Sequence, residues 1–264
     1  MPDLHNTKPG IMIAAHRGAS YTAPENTIPA FKLAFKEDAD FIEGDFRLTK
    51  DNEIVCIHDP NTKRITKEKN KLNIRSSVLS ELKKLDVGIW KGDEYKGSAI
   101  PTIQEVLRII PKGKGIVIEI KDNREIFIKK LAEILKYSTV PGNKIRIIAF
   151  KPGTVRLVKK YIPEIKVYLL FGWYFSRKKY LISFVQRRLK NSLKTLVCDG
   201  VDLNAAPYID SKLVSYLRRN KLDFCTYNVD AKKDLEMLMN LGVDIITTNS
   251  PDKMRKIIAS LSKL

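Results

Sequence analysis

Short apolar runs rich in β-branched residues recur along the 264-residue chain, and amphipathic segments with helical spacing separate them. This alternation is typical of parallel βα units. Eight runs qualify as strands, at residues 11–15, 41–46, 116–120, 145–150, 166–171, 197–203, 223–227 and 243–247. Because each predicted strand leads towards a helix, the pattern predicts an α/β fold of the (β/α)8, or TIM barrel, type.

The helices between the strands are predicted from the same spacing. They cover residues 26–37, 102–110, 126–137, 153–161, 211–220, 232–241 and 251–262. Between His58 and the helix at 102 the chain is polar and glycine-containing, with little strand signal. We therefore expect a small insertion subdomain at residues 60–100, after the second strand and over the barrel mouth. Since barrels of 200 to 250 residues commonly form one domain, residues 1–264 are predicted to be a single barrel domain.

The formal net charge is +18, from 48 lysines and arginines against 30 acidic residues. Such a charge favours acidic partners in general, whether nucleic acid, anionic lipid or phosphate esters. A lysine-rich solvated surface explains it equally well, because the lysines are scattered along helical segments. No recognition-helix or RNA-binding motif is present, so no specific nucleic-acid partner is expected.

The cysteines Cys56, Cys198 and Cys225 are far apart and form no CxxC pair, which argues against disulfides and a zinc site. Residues 1–10 lack the apolar stretch of a signal peptide, and the longest uncharged apolar run is too short to cross a bilayer. We therefore expect a soluble protein in the reducing cytoplasm.

Carboxylates lie at the ends of the second and third predicted strands. Glu43 and Asp45 are two residues apart, as are Glu119 and Lys121. Residues two apart on a strand project to the same side, and barrel chemistry gathers at the carboxyl ends of the strands. These side chains are therefore expected to converge inside the barrel mouth.

Three converging carboxylates repel one another unless a positive charge lies between them. Oxygen ligands without histidine or thiolate favour Mg²⁺ or Ca²⁺, with water and a substrate oxygen completing the coordination. The alternative is a buried ionic network, in which the carboxylates Glu43, Asp45 and Glu119 pair with Arg17 and Lys121. Such networks are costly to build, and this one would lie where barrel active sites form.

Two of the three histidines are predicted beside this acidic cluster, His16 after the first strand and His58 after the second. Imidazole suits proton transfer near neutral pH, so the two are interpreted as an acid and base pair rather than as structural residues. Arg17 offers a planar fork for phosphate oxygens, and Lys121 offers a point charge. Together with a metal ion, these groups fit the cleavage of a phosphodiester.

Five blocks of sequence carry a family resemblance over nearly the whole chain. The blocks HRGASYTAPENTIPAF, ADFIEGDFRLTKDNEIVCIHD, IPTIQEVL, IVIEIK and GVDIITTNSPD, in this order, resemble the glycerophosphodiester phosphodiesterases. The resemblance implies cleavage of a glycerophosphodiester to glycerol 3-phosphate and an alcohol, by attack either of water or of a free substrate hydroxyl. The resemblance implies that the family's metal ligands fall on Glu43, Asp45 and Glu119. It implies that the catalytic histidines are His16 and His58, and that Arg17 and Lys121 contact the phosphate.

Three positions depart from the family pattern. Cys225 stands where a tryptophan would line the alcohol pocket, Asn249 replaces an aspartate, and Ala149 replaces the serine of a Ser-Phe pair, which here is Ala149-Phe150. None of these positions belongs to the proposed metal or acid and base residues. Within the first block, we also hypothesise that Glu25 orients Arg17.

Residues 173–190 contain six basic residues and no acid, and apolar residues of this segment fall on one helical face. The pattern predicts either an outer barrel helix or a surface helix on anionic membrane, which would give a lysophospholipase D-like activity on lysophospholipids. A non-catalytic barrel that binds phosphorylated ligands is a further alternative. The sequence makes no prediction of an oligomeric state.

Overall fold

The computed structural model describes residues 10–172 and 179–261. Within these ranges the strands are Met12–His16 (β1), Phe41–Leu48 (β2), Ile54–Cys56 (β3), Gly115–Ile120 (β4), Ile145–Ala149 (β5), Lys166–Phe171 (β6), Gly200–Asn204 (β7), Asp223–Tyr227 (β8) and Ile245–Thr248 (β9). The α-helices are Ile28–Lys36 (α1), Leu79–Leu82 (α2), Ile103–Arg108 (α3), Glu125–Lys136 (α4), Pro152–Tyr161 (α5), Lys179–Lys194 (α6), Ser211–Arg219 (α7), Lys232–Leu241 (α8) and Pro251–Leu261 (α9).

Eight of these strands close a parallel barrel in the order β1, β2, β4, β5, β6, β7, β8 and β9, and β9 pairs back onto β1. The predicted (β/α)8 barrel is therefore confirmed. The strand β3 was not predicted; it pairs antiparallel with the end of β2, where Phe46 faces Cys56. The strand β7 begins at Gly200 rather than at residue 197, where Val197 is exposed.

The helices follow the prediction with small shifts at their ends. The first begins at Ile28 instead of residue 26, because Asn26 has a positive φ of +58° that a right-handed helix does not allow. Thr27 is the N-cap, and its side chain accepts a hydrogen bond from the Ala30 N–H. The predicted end of the last helix, Ser262, lies outside the described residues.

The segment between β3 and α3 contains α2 and the short 3₁₀ helices Ile74–Ser76 and Asp93–Tyr95. It packs around an apolar cluster separate from the main core, formed by Val55, Ile57, Ile65, Ile74, Leu82, Val87 and Ile100. The boundaries 60–100 of a subdomain, and its place within one barrel domain, stay predictions.

Alternation along the barrel strands divides the side chains between two apolar regions. Ile13 and Ala15 of β1 face the surrounding helices, whereas Ala14 faces a smaller cluster inside the barrel. That interior cluster contains Ala14, Phe41, Val117, Ile148, Tyr168, Leu170, Cys225 and Ile245. Because residues two apart share a face, the polar residues that end β1, β2 and β4 also point into the barrel, above this cluster.

The helix α6 packs its apolar face on the barrel. Val185 and Leu189 are buried, and Ile182 packs against the main core. Arg187 and Arg188 are exposed. This is the arrangement of an outer barrel helix, while residues 173–178 of the basic segment lie outside the described residues. In the described ranges, none of the helices has the length and apolar character that a membrane crossing requires.

The turn after β1 depends on a glycine. Gly18 has φ +84°, and a Cβ built there would lie 2.6 Å from the Ala30 carbonyl carbon of α1. We expect Gly18→Ala to lower the free energy of unfolding by about 2 kcal/mol or more. Urea denaturation followed by circular dichroism measures this change.

The matched control is Gly153→Ala in α5, where no atom lies within 4 Å of the added Cβ and no positive φ is required. Alanine is the better helix former, so this variant is expected to gain up to about 1 kcal/mol. Equal stabilities of the two variants would contradict the assigned contact with Ala30.

Candidate active site

Within the described part of the chain, three buried carboxylates meet at the carboxyl ends of adjacent barrel strands. Glu43, Asp45 and Glu119 are 1%, 0% and 8% exposed. Each offers an oxygen, and these atoms all lie within 4.8 Å of one another. The register of the sheet explains the convergence, because Asp45 of β2 stands directly beside Glu119 of β4. The cluster is compatible with a divalent metal ion.

Two cations, Arg17 and Lys121, form ion pairs within this cluster of three carboxylates, and the pKa shifts differ between the three. Burial, with the charges of Asp45 and Glu119, raises the pKa of Glu43 well above its usual value. Burial and Asp45 raise the pKa of Glu119 to about 7. Burial also opposes ionisation of Asp45, but Lys121 and Arg17 outweigh it and hold the pKa of that carboxyl below its usual range. Among the described residues Glu43 Oε1 has no hydrogen-bond partner, so an acceptor is available to a cation.

Arg17 is held by three carboxylates. Its backbone N–H donates to Glu43 Oε2 at 2.9 Å, its Nε lies 3.0 Å from Asp45 Oδ2, and its terminal nitrogen donates to Glu25 Oε1 at 2.9 Å. The backbone of Arg17 adopts a positive φ of +56°, which turns the side chain into this group. Glu25 thus contacts Arg17 as the hypothesis requires, although its effect on activity stays a prediction.

Lys121 lies on the opposite side of the cluster. Its Nζ is 3.1 Å from Asp45 Oδ1, and it forms a second ion pair with Glu119. Asn26 fixes the central carboxylate: its amide N–H donates to Asp45 Oδ2 at 2.9 Å, and its amide oxygen accepts the Asp45 backbone N–H at 3.1 Å. Asp45 is therefore held between Arg17, Lys121 and Asn26.

His16, the last residue of β1, has neutral partners. Its Nδ1 lies 2.8 Å from Asn249 Oδ1. The orientation of the Asn249 amide is set by Asp230, which accepts from its Nδ2, and by Ser20, whose hydroxyl donates to its Oδ1 at 2.9 Å. An acceptor oxygen at Nδ1 assigns the imidazole proton to Nδ1 and leaves the lone pair on Nε2. Burial and Arg17 lower the pKa of His16.

The Asn228 amide lies on the same side of the His16 ring, with its Nδ2 2.7 Å from the ring Nδ1. An amide nitrogen donates and does not accept, so a proton on Nδ1 requires the Asn228 amide to be turned over, with its oxygen facing the ring. Asn228 and Asp230 follow β8, and Asn249 follows β9. The ends of these two strands therefore hold His16 in place.

His58 has a charged partner. Its Nδ1 lies 2.7 Å from Asp59 Oδ1, and its backbone carbonyl accepts from Arg47 at 2.6 and 2.9 Å. Burial lowers the pKa of His58, and Arg17 adds to this effect, while Asp45 and Asp59 oppose it.

Arg64, from the insertion, connects the two halves of the site. It donates to Asp59 Oδ2 at 2.8 Å and to both carboxylate oxygens of Glu25 at 2.8 Å. Asp59 holds His58, and Glu25 holds Arg17. Sequence reasoning missed Arg64, because nothing in the pattern TKRITKE distinguishes it from its basic neighbours.

The departures from the family pattern fall at different depths. Cys225 is buried in the interior cluster with Ala14 and Phe41, below the layer that contains His16. Ala149, which replaces a serine, is buried at the end of β5, and the neighbouring Phe150 is 48% exposed, with Lys121 6.0 Å from the centre of its ring. Asn249 contacts His16 directly.

Ionisable groups at the carboxyl ends of β1, β2 and β4 give the site its class, that of a (β/α)8-barrel enzyme. The sequence model of the Glycerophosphoryl diester phosphodiesterase family matches residues 16–253. A glycerophosphodiester phosphodiesterase of Caldanaerobacter subterraneus is 33% identical, and the alignment covers 94% of this chain and 97% of that protein. A putative glycerophosphodiester phosphodiesterase of Bacillus subtilis is 33% identical over 91% of this chain and 95% of its own length. The chain belongs to the glycerophosphoryl diester phosphodiesterase family.

Solved structures agree. An Oleispira antarctica phosphodiesterase in complex with the product sn-glycerol-3-phosphate superposes with a TM-score of 0.80 at 27% identity, covering 94% of this chain and 96% of that one. A putative glycerophosphoryl diester phosphodiesterase from Silicibacter pomeroyi gives a TM-score of 0.81 at 16% identity, over 96% of this chain and 94% of that one, which supports the fold alone. The family resemblance inferred from the sequence is confirmed.

The acidic cluster predicts stabilisation by divalent cations. Since an ion that binds only the folded state stabilises it by mass action, Mg²⁺ or Ca²⁺ at about 100 times its Kd is expected to add about 2.7 kcal/mol. Thermal unfolding of metal-stripped protein with and without each ion measures this, and Asp45→Asn is expected to remove most of the shift.

Asp202→Asn is the matched control. Asp202 is a buried carboxyl on β7, outside the cluster, and burial together with Glu119 raises its pKa to about 8. It is therefore largely protonated at pH 7, and its amide variant should keep the cation-dependent shift. The same shift in wild type and Asp45→Asn would contradict a metal site at the cluster.

Proposed function

We propose that this protein is a metal-dependent phosphodiesterase that hydrolyses glycerophosphodiesters to glycerol 3-phosphate and an alcohol. The observation that carries the proposal is the juxtaposition, at one barrel mouth, of the buried carboxylates Glu43, Asp45 and Glu119 with Arg17 and Lys121. Family membership and the product bound to the Oleispira antarctica relative support the substrate class.

The donor set fits a hard divalent cation. Glu43, Asp45 and Glu119 would hold Mg²⁺ or Ca²⁺, because all three supply oxygen and Glu43 Oε1 is otherwise unsatisfied within the described residues. Bound there, the ion would act as a Lewis acid on a phosphate oxygen. Arg17 and Lys121 lie against the same carboxylates and would contact the remaining phosphate oxygens.

The two histidines differ in the partner of Nδ1, and we assign their roles from this difference. His16 donates to the neutral Asn249, so its Nε2 would accept the proton of the attacking oxygen. His58 faces the carboxylate of Asp59, which stabilises the imidazolium, so it would protonate the leaving alcohol. Glu25 and Arg64 would act as positioning residues. Glu25 contacts Arg17 directly, and Arg64 contacts both Glu25 and Asp59, the partner of His58.

Four other interpretations of the sequence stay predictions. They are the activity on lysophospholipids, contact with anionic membranes, the cytoplasmic compartment and a non-catalytic binding barrel. While Val185 and Leu189 pack inwards, α6 has exposed basic residues that would be open to an anionic surface, among them Arg187, Arg188 and Lys194.

The direct test uses metal-stripped protein with glycerophosphocholine or a lysophospholipid, and Mg²⁺ or Ca²⁺ added back. From glycerophosphocholine we expect metal-dependent release of glycerol 3-phosphate, measured by a coupled dehydrogenase assay. The same cleavage of a lysophospholipid would release its head-group alcohol and an acylated glycerol phosphate, so that reaction is followed by the alcohol released. His16→Ala removes the proposed base, so kcat is expected to fall about 10²- to 10⁴-fold.

His5→Ala, the substitution of the third histidine, is the matched control and should keep full activity. Hydrolysis of neither substrate, with either metal, would count against the proposed function. Salt-sensitive DNA binding without hydrolysis would instead favour the non-catalytic alternative.

The role of His58 predicts a pH dependence. Asp59 raises the pKa of His58 through a hydrogen bond, so Asp59→Asn lowers it. His58 must be protonated to act as a general acid. If its pKa is lower, it loses this proton, and the enzyme its activity, at a lower pH. The alkaline limb of the kcat/KM profile should therefore move to lower pH in Asp59→Asn, while the acid limb set by His16 stays in place.

Asp93→Asn provides the control, because Asp93 is an exposed carboxylate in the same insertion. Its profile should overlay that of the wild type. A shift of the acid limb in Asp59→Asn, with an unmoved alkaline limb, would reverse the assignment of acid and base.

A further inference from the structure

A basic cavity of about 420 Å³ opens beside the carboxylate cluster, between the ends of β2, β4 and β5 and the insertion. Polar and apolar atoms contribute about equally to its wall, and residues such as Leu48 and Ile74 supply apolar surface. The cationic side chains that line it are Arg47, Arg75, Lys121, Arg124 and Lys151.

Part of this charge is already neutralised. Lys121 pairs with Asp45 and Glu119, and Arg124 is bound by Asp122, the acidic residue of the cavity wall.

The other three cations of the wall make no such ion pair among the described residues. Across residues 10–172 and 179–261, no ion pair within 4.0 Å involves Arg47, Arg75 or Lys151. Arg47 donates to a neutral acceptor, the His58 carbonyl, and Arg75 and Lys151 are exposed. Three positive charges therefore face the cavity without an ion-pair contact in the described residues, and Asp122 acts on Arg47 and Arg75 only from a longer distance.

Two helix N-termini add to this potential. The helix α4 follows Arg124, and α5 follows Lys151. The side chains of the N-cap residues, Arg124 and Lys151, make no capping hydrogen bond. At the start of α4, Asp122 Oδ1 accepts from the Arg124 backbone N–H at 3.1 Å, so the N-terminus of α5 is the one without a carboxylate among the described residues. The positive end of a helix favours anions, and here it coincides with cationic side chains.

The cavity adjoins the catalytic groups on the His58 side. Lys121 belongs both to the cavity wall and to the carboxylate cluster, and Arg47 of the wall holds the His58 backbone. An alcohol protonated by His58 would therefore leave next to this cavity. A volume of this size accommodates a small polyol with its substituents.

We propose that the basic cavity binds a phosphate monoester carried by the leaving alcohol, so that the preferred glycerophosphodiester has an anionic alcohol rather than a cationic one such as choline. The inference rests on the proposed function and specifies its substrate class. A phosphate monoester matches the wall, because several oxygens with nearly two negative charges can engage the three unpaired cations together. A quaternary ammonium group would be repelled by the same positive charges.

The test compares two substrates that differ by one phosphate, glycerophosphoinositol and glycerophosphoinositol 4-phosphate. The variant is Arg75→Gln/Lys151→Gln, which leaves the carboxylates and histidines unchanged. Since charge-assisted contacts are the strong ones, we expect the wild type to favour the 4-phosphate at least about tenfold in kcat/KM, mainly through KM. The double variant should lose most of this preference and keep its rate on glycerophosphoinositol.

Lys36→Gln/Lys112→Gln removes the same charge from exposed positions far from the mouth, at the end of α1 and before β4. This control should keep the preference. A ratio near one in the wild type, or equal loss in both double variants, would overturn the proposal. Inorganic phosphate that binds in competition with neither diester would also overturn it.

A measurement of binding distinguishes the proposed phosphate site in the cavity from the proposed hydrolytic function. Titration calorimetry with His16→Ala in the presence of Ca²⁺ should show tighter binding of the 4-phosphate, weakened by Arg75→Gln/Lys151→Gln. Cavity-dependent binding without hydrolysis of any diester by the wild type would contradict the proposed function alone. Equal affinity for the two inositol compounds would contradict the cavity assignment.

Discussion

Three carboxylates buried on adjacent strands impose the constraint on which the site depends. Burying Glu43, Asp45 and Glu119 together is unfavourable unless positive charge is supplied, and the fold provides Arg17 on one side and Lys121 on the other. Several features of the local backbone follow from this need. The positive φ of Arg17 turns its N–H and its guanidinium towards the carboxylates, and Gly18 lets the chain pass close to α1 immediately afterwards. The opposing cations are still fewer than the carboxylates they face, so the arrangement is compatible with a divalent ion in addition to this ionic network.

The surrounding structure gives two histidines of the same chemistry different environments. On one side, strand ends β8 and β9 surround His16 with amides whose orientation is set by Asp230. On the other, the insertion supplies Arg64, which holds Asp59 against His58 and at the same time holds Glu25 against Arg17. A neutral acceptor favours the imidazole and a carboxylate favours the imidazolium, so the asymmetry of the partners supports separate roles as base and acid. The replacement of the family's aspartate by Asn249 strengthens this contrast, since it removes a charge from the vicinity of His16.

The sequence predicted the barrel and the carboxylate cluster for the same reason. Alternation along each strand decides which side chains enter the barrel, so Glu43 and Asp45 could be placed together from their spacing alone. Contacts set by loops could not be placed in this way. Arg64 reaches Glu25 across 39 positions of sequence, and no local pattern indicates that contact. Asp230 follows a strand as the other site residues do, so extending the strand-end argument to β8 could have found it. The apolar run of Ile54 and Val55 was likewise a usable signal for β3.

The distribution of charge links the composition of the chain to its specificity. A net charge of +18 by itself distinguishes no partner, because scattered lysines and a focused site give the same sum. The structure shows which basic residues lie together at the barrel mouth. Among them are Arg75, from the insertion, and Lys151, from the loop after β5. The proposed catalytic groups come chiefly from strand ends, whereas the unpaired cations come partly from connecting segments. Connecting segments tolerate substitution better than barrel strands, so the preference for the alcohol can change without disturbing the carboxylate cluster. The buried Cys225 is consistent with this division, because it alters the interior packing and leaves the recognition of the alcohol to the rim.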